Sequence, residues 1–197
     1  MNPIEAALDR IATDLLATGI SWAVVGGFAV SARAEPRFTR DVDVAVAVSG
    51  DDEAESTIRR LTARSYRLIA LTEQDAVGRL ATARVVPPGT GGIVVDILFA
   101  SSGIEPEVAA AADPVELVPG LVVPVAQVGH LIALKLLARD DESRPQDRAD
   151  LHALLDVAGP DDLALTSRSI NAISSRGFDR GRNLTADLAA LVNARER

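Results

Sequence analysis

An apolar run, Trp22-Ala23-Val24-Val25, ends in Gly26-Gly27, and after thirteen intervening residues a strict alternation begins: Asp41-Val42-Asp43-Val44-Ala45-Val46-Ala47-Val48. In a strand, successive side chains face opposite sides. The valines at 42, 44, 46 and 48 therefore share one apolar face, and Asp41 and Asp43 share the other. A strand at an exposed sheet edge can carry aspartates that discourage edge pairing. The unbroken valine face argues instead for a central strand that begins with two carboxylates.

Helix and strand patterns alternate through the first half, which is α/β in character. Ile4, Ala7, Leu8, Ile11, Leu15 and Leu16 recur at helical spacing and predict an amphipathic helix over residues 3–18. A short helix is expected over 27–34 and another from Asp51-Asp52 to about residue 64. Strands are expected at 21–25, 41–48, 66–71, 80–86 and 93–99, with a Pro-Pro-Gly-Thr-Gly-Gly turn at 87–92. Short strands at 115–118 and 121–123 precede helices at 125–139, 145–157, 160–175 and 183–194, with a polar loop over 140–146. Pro119 and Pro124 mark a division into a lobe of residues 1–124 and a helical lobe of residues 125–197.

Apolar residues make up 48 % of the chain, enough for a well-formed core, yet no run approaches the roughly 20 residues that span a bilayer. Glu5, Asp9, Arg10 and Asp14 argue against a secretory leader. With no cysteine, disulfides and thiolate metal sites are excluded, and a cytoplasmic location is expected. The net charge of −8 argues against whole-surface binding to nucleic acid but leaves room for a local basic cleft. Arg33, Arg37 and Arg40, between the glycines and the aspartates, are placed to line one, with roles at a phosphate or acceptor set against solvated loop charges.

The glycines let a chain turn sharply from strand to helix and let a phosphate approach the backbone N–H groups of the helix N-terminus. Asp41 and Asp43, about 6.5–7 Å apart along a strand, repel each other unless a cation lies between them. An oxygen-only donor pair suits Mg²⁺ or Mn²⁺. Asp96 is the third candidate, because it interrupts an otherwise apolar strand, Ile93-Val94-Val95-Asp96-Ile97-Leu98-Phe99. A carboxylate there needs a cation, either a metal shared with Asp41 and Asp43 or an arginine.

One lysine, Lys135, stands among nineteen arginines, in the apolar helix His130-Leu131-Ile132-Ala133-Leu134-Lys135-Leu136-Leu137. Its readings are a counter-charge for substrate phosphates or a side chain that snorkels to water. No role is assigned to His130 or His152, and Trp22 and Tyr66 are too few for a base-stacking platform.

Gly26, Gly27, Asp41, Asp43 and Asp96 resemble, in type, order and spacing, the signature of the DNA polymerase β-like nucleotidyltransferase superfamily. The resemblance implies an α/β (α+β) fold, a mixed sheet flanked by helices with a helical C-terminal half. It also implies metal-dependent transfer of a nucleoside monophosphate from an NTP. Asp41, Asp43 and Asp96 would be metal ligands and catalytic residues, with Gly26 and Gly27 at the phosphates. The segments around Lys135 and Arg144-Pro145-Gln146-Asp147-Arg148-Ala149-Asp150 are similar to later motifs of the AbiEii/MenT-like toxin nucleotidyltransferases. That similarity implies a lysine on the nucleotide phosphates (Lys135), a nearby aspartate (Asp150, with Asp147 the alternative), a tRNA or other RNA acceptor and a cognate antitoxin. Gly27 departs from the serine of many such toxins, and their basic middle motif has only Arg79 and Arg84 as nearest candidates. Gly26-Gly27-Phe28-Ala29 and Phe38-Thr39-Arg40-Asp41-Val42-Asp43 also resemble aminoglycoside and lincosamide nucleotidyltransferases, which implies a small-molecule acceptor and a substrate-side role for Arg40. A third reading keeps the fold as a non-catalytic nucleotide-binding or antitoxin-like module.

Overall fold

The structure is a computed structural model that describes residues 2–140 and 145–195. Helix α1 (Pro3–Leu16) starts on a capping box. The Asn2 side chain accepts from the amides of Ile4 and Glu5, and the Glu5 carboxylate accepts from the Asn2 N–H. Its buried face carries Ala7, Leu8, Ile11 and Leu15, the positions expected from the sequence.

The chain then runs through β1 (Trp22–Val25), α2 (Gly26–Arg33), β2 (Asp41–Val46), α3 (Asp51–Ala63), β3 (Arg67–Gln74), β4 (Arg79–Val86) and β5 (Val94–Leu98). After these come α4 (Glu105–Ala110), β6 (Asp113–Val118) and β7 (Leu121–Val125). Four helices follow: α5 (Val128–Ala138), α6 (Pro145–Val157), α7 (Pro160–Ser175) and α8 (Leu184–Arg195). The strands form one mixed sheet in the order β3-β4-β5-β2-β1-β7-β6. Strand β2 pairs parallel with β5 and antiparallel with β1, and β1 pairs parallel with β7.

Strand β2 is thus fourth of seven, so the edge-strand reading of its aspartates does not hold. Val42, Val44, Val46 and Val48 are all buried. Strand β3 is an edge, and Leu68, Ile69 and Leu71 on it are exposed. Helix α4 has no counterpart among the expected elements. It is one short turn-and-a-half whose entry is fixed by Glu105, which accepts from the Ser102 N–H and hydroxyl.

Strand β7 continues to Val125, and that residue pairs with Val24 of β1. Leu131, Ile132 and Leu136 of α5, Leu151 and Leu154 of α6, and Ile170 and Ile173 of α7 belong to the same apolar cluster as the sheet valines. The expected polar loop over residues 140–146 falls mostly outside the described residues; α6 begins at Pro145. Among the described residues no helix is long and apolar enough to cross a membrane.

Candidate active site

Residues paired across neighbouring strands point to the same face of a sheet. Asp43 pairs with Asp96 of β5, and Asp41 lies two residues earlier on the same face of β2. Paired strands lie about 4.8 Å apart, closer than the i, i+2 spacing along a strand. The three carboxylates expected to gather therefore do share one face, and Asp43 and Asp96 are the nearer pair.

The Gly26-Gly27 turn abuts Asp43. Gly26 adopts φ +60°, and a Cβ there would lie 1.9 Å from Asp43 Oδ2. Position 26 must be glycine for both reasons: the backbone is left-handed and the carboxylate occupies the side-chain space. The Gly27 N–H, at the start of α2, favours the ionised Asp43 carboxylate. A Cβ at Gly27 would lie 2.6 Å from Thr39 Oγ1 and 2.9 Å from Arg37 Nη2. The space that a serine side chain would take at 27 is thus filled by the threonine hydroxyl, which donates to the Asp41 carbonyl at 3.2 Å and to Asp41 Oδ1 at 3.3 Å.

Burial, then the charge of Asp41, then that of Asp96 push the Asp43 carboxyl up to about 7. Lys135 and the Gly27 N–H pull the other way and do not prevail. A proton or a cation relieves that crowding.

Asp96 is 8 % exposed and already paired. Arg84, its cross-strand partner on β4, donates from Nε at 2.8 Å and from Nη2 at 2.7 Å to the two carboxylate oxygens. That bidentate bond, with the charges of Asp41 and Asp43 in support, raises the Arg84 pKa further. Among the described residues no three carboxylate or imidazole side chains stand together as a metal-binding group. The donor chemistry still fits Mg²⁺: oxygen ligands on one face, crowded enough to hold a proton near neutrality. Among the described residues neither Asp41 nor Asp43 forms an ion pair with an arginine, whereas Asp96 would have to exchange Arg84 for the ion.

Lys135 does not snorkel. Its side chain is 14 % exposed, and Nζ lies 2.7 Å from both Asp147 Oδ1 and Asp150 Oδ2 on α6. Asp150, 1 % exposed, also pairs with Arg37, whose Nη2 donates at 2.9 Å, and accepts from Gln146 Nε2 at 3.1 Å. Arg37 Nε sits 2.7 Å from Asp150 Oδ1 but makes no hydrogen bond, so that contact is an ion pair alone. Burial by itself would raise the Asp150 carboxyl; the lysine, the glutamine and the arginine together bring it below the usual carboxylate range. Asp147 Oδ2 is buried without a hydrogen-bond partner among the described residues. Asp150 and its alternative, Asp147, both stand beside Lys135 as counter-charges.

The three arginines of the 28–40 segment separate. Arg33 is tied to Asp113 and to the carbonyls of Val125 and Ala126. Arg37 joins the Gly27 turn to α6, and Arg40 lies over the exposed ring of Phe38. Arg79 pairs with Asp51, while Arg144 falls outside the described residues. His130 is buried and His152 exposed, and neither touches this cluster. Trp22 and Tyr66 are core residues. Cavities of about 380 and 350 Å³ lie elsewhere, lined in part by Ser56 and Arg60 and by Asp161 and Arg168.

Arg37, Thr39 and Arg84 were all named from the sequence, and an arginine was one reading for Asp96, but their contacts with Asp150, Asp41 and Asp96 were not. The signal for Thr39 was its place just before Asp41. Arg84 could be found only once β4 and β5 were in register.

The family model for the nucleotidyl transferase AbiEii toxin, of a type IV toxin–antitoxin system, matches residues 7–197. The chain belongs to the AbiEii nucleotidyltransferase toxin family. It is accordingly a nucleotidyltransferase. No curated protein matches it. Among solved structures it is similar to the antibiotic-resistance factor ANT(2'')-Ia, with a TM-score of 0.54, 16 % identity, and coverage of 87 % of this chain and 91 % of that one. An antigenic nucleotidyltransferase-like protein from Paracoccidioides brasiliensis gives a TM-score of 0.54 at 17 % identity, covering 95 % of this chain and 93 % of the other. The lincomycin-bound lincosamide adenylyltransferase LnuA gives 0.51 at 11 % identity, covering 80 % of this chain and all of that one. At such identities these likenesses establish the nucleotidyltransferase fold.

Proposed function

We propose that this AbiEii-family enzyme transfers a nucleoside monophosphate from an NTP to the 3′ hydroxyl of an RNA, with tRNA the leading candidate, as the toxin of a toxin–antitoxin pair. The observation that carries the reading is the placement of Asp41, Asp43 and Asp96 on one face of two central strands, against the Gly26-Gly27 turn. Asp41 and Asp43 would hold a divalent cation, Mg²⁺ or Mn²⁺, and Asp96 would join them on release from Arg84. The ion, when bound, neutralises phosphate charge and favours an ionised acceptor oxygen.

The remaining work falls to the chain. The amides at the start of α2 and the third N–H of Lys135, whose other two face Asp147 and Asp150, are available to phosphate oxygens. The acceptor oxygen attacks the α-phosphorus, its proton passes to the Asp96 carboxylate, and the bond to the bridging oxygen breaks so that pyrophosphate leaves. Arg84, freed from Asp96, remains a guanidinium within reach of the same face. Arg40, exposed just before β2, would be the cation on the acceptor's side.

The test is incubation with each labelled NTP, Mg²⁺ and total RNA. Label should enter RNA with release of pyrophosphate, and Asp43→Ala should abolish both. Label on an aminoglycoside or lincosamide but not on RNA would replace the acceptor. NTP binding without pyrophosphate release under any acceptor would reduce the protein to a nucleotide-binding module.

A further inference from the structure

The segment that delivers Thr39 and Asp41 to the site is pinned on one side and bare on the other. Arg37 N–H donates to Ser31 Oγ at 3.2 Å, Arg37 Nη1 to the Phe38 carbonyl at 3.1 Å, and Thr39 Oγ1 to Asp41. Arg37 and Thr39 thus turn inward, toward Gly27 and Asp150. Phe38 and Arg40 are the exposed alternates. The Phe38 ring is 80 % exposed, and the Arg40 guanidinium stands 5.9 Å from its centroid. Arg40 has neither an ion pair nor a hydrogen bond among the described residues, in a chain whose other arginines of this segment are both tied to carboxylates.

An aromatic face with an unpaired guanidinium beside it matches a nucleotide: the ring stacks on the base, and the cation meets the phosphate. A polycationic drug would meet Arg40 as a like charge. Phe38 and Arg40 stand three residues and one residue before Asp41, so a molecule seated on Phe38 lies beside the start of β2.

We propose that Phe38 and Arg40 form the platform that stacks the terminal base of a single-stranded RNA acceptor and holds its adjacent phosphate. The inference rests on the RNA-acceptor reading above and names the residues that would select it.

The experiment measures binding of the full chain to a fluorescent single-stranded oligoribonucleotide by anisotropy, without NTP, and binding of each NTP by calorimetry. Because the ring is exposed, substitution leaves the core intact. Phe38→Ala and Phe38→Leu should each weaken RNA binding about tenfold, the loss of one base–aromatic stack, and Phe38→Tyr should restore it. Arg40→Gln should lower the slope of log affinity against log salt by about 0.7, the share of one phosphate on a single strand. NTP affinities should be unchanged in all four. If Phe38→Leu binds RNA as the parent does, or if the losses fall on NTP instead, the platform is overturned. If the unmodified protein extends RNA and Phe38→Ala extends it equally well at limiting RNA, the platform fails while the RNA-acceptor reading stands. If the unmodified protein neither binds nor extends RNA, both fail.

Discussion

Asp43 is the residue on which the site's electrostatics converge. Its carboxyl titrates near 3.8 in an unfolded chain and at about 7 in the folded one. Between those values folding takes up a proton. The native state is therefore favoured by this group below about pH 4, and that advantage is lost as the pH rises toward 7. In metal-free buffer Asp43→Asn should melt above the parent at about pH 8, with the gap closing toward about pH 4; differential scanning calorimetry across that range checks it. The same substitution should remove nucleotidyl transfer at every pH. Gly26→Ala makes a complementary case, since its new methyl would meet Asp43 Oδ2 on a left-handed backbone. It should cut transfer at least a hundredfold, and its cost to stability should be smaller in an Asp43→Ala background than alone. Equal costs in the two backgrounds would mean that only the backbone conformation matters at Gly26.

At the scale of elements, the valine alternation was enough to place β2 in the middle of the sheet, because a clean period-two face of buried valines has few other homes. The helices were legible from apolar spacing to within about one turn, as α1 and α3 show. Short α4 was not, because six residues carry less than two helical periods. The Arg84–Asp96 pair was also hidden: a cross-strand partner depends on register, and no local pattern around Arg84 reports it. Lys135 was conspicuous in the sequence by its rarity, but its partners lie on another helix. That helix pair is held by buried charge. Asp150→Ala would leave Lys135 and Arg37 short of a counter-charge and should cost roughly 3–5 kcal/mol, read by urea unfolding. Asp14 plays a comparable part elsewhere, tying α1 to Arg64 and to the Tyr66 hydroxyl.

The whole molecule hangs on the sheet's centre. β2 is paired on both sides, whereas the β6–β7 hairpin reaches β1 through a short parallel pairing at Val24 and Val125. Hydrogen exchange should be slowest in β1, β2 and β5, and fastest in the edge strands β3 and β6. A slow β6 would mean that the hairpin opens only with global unfolding. The burial of the single lysine has a practical consequence. Apart from its α-amino group, the chain exposes no free primary amine to acylating reagents, aldehyde cross-linkers or enzymes that tag lysine. An amine-reactive label would then be incorporated at Lys135 only as fast as α6 lets it go, which makes labelling rate a clock for the opening of the site.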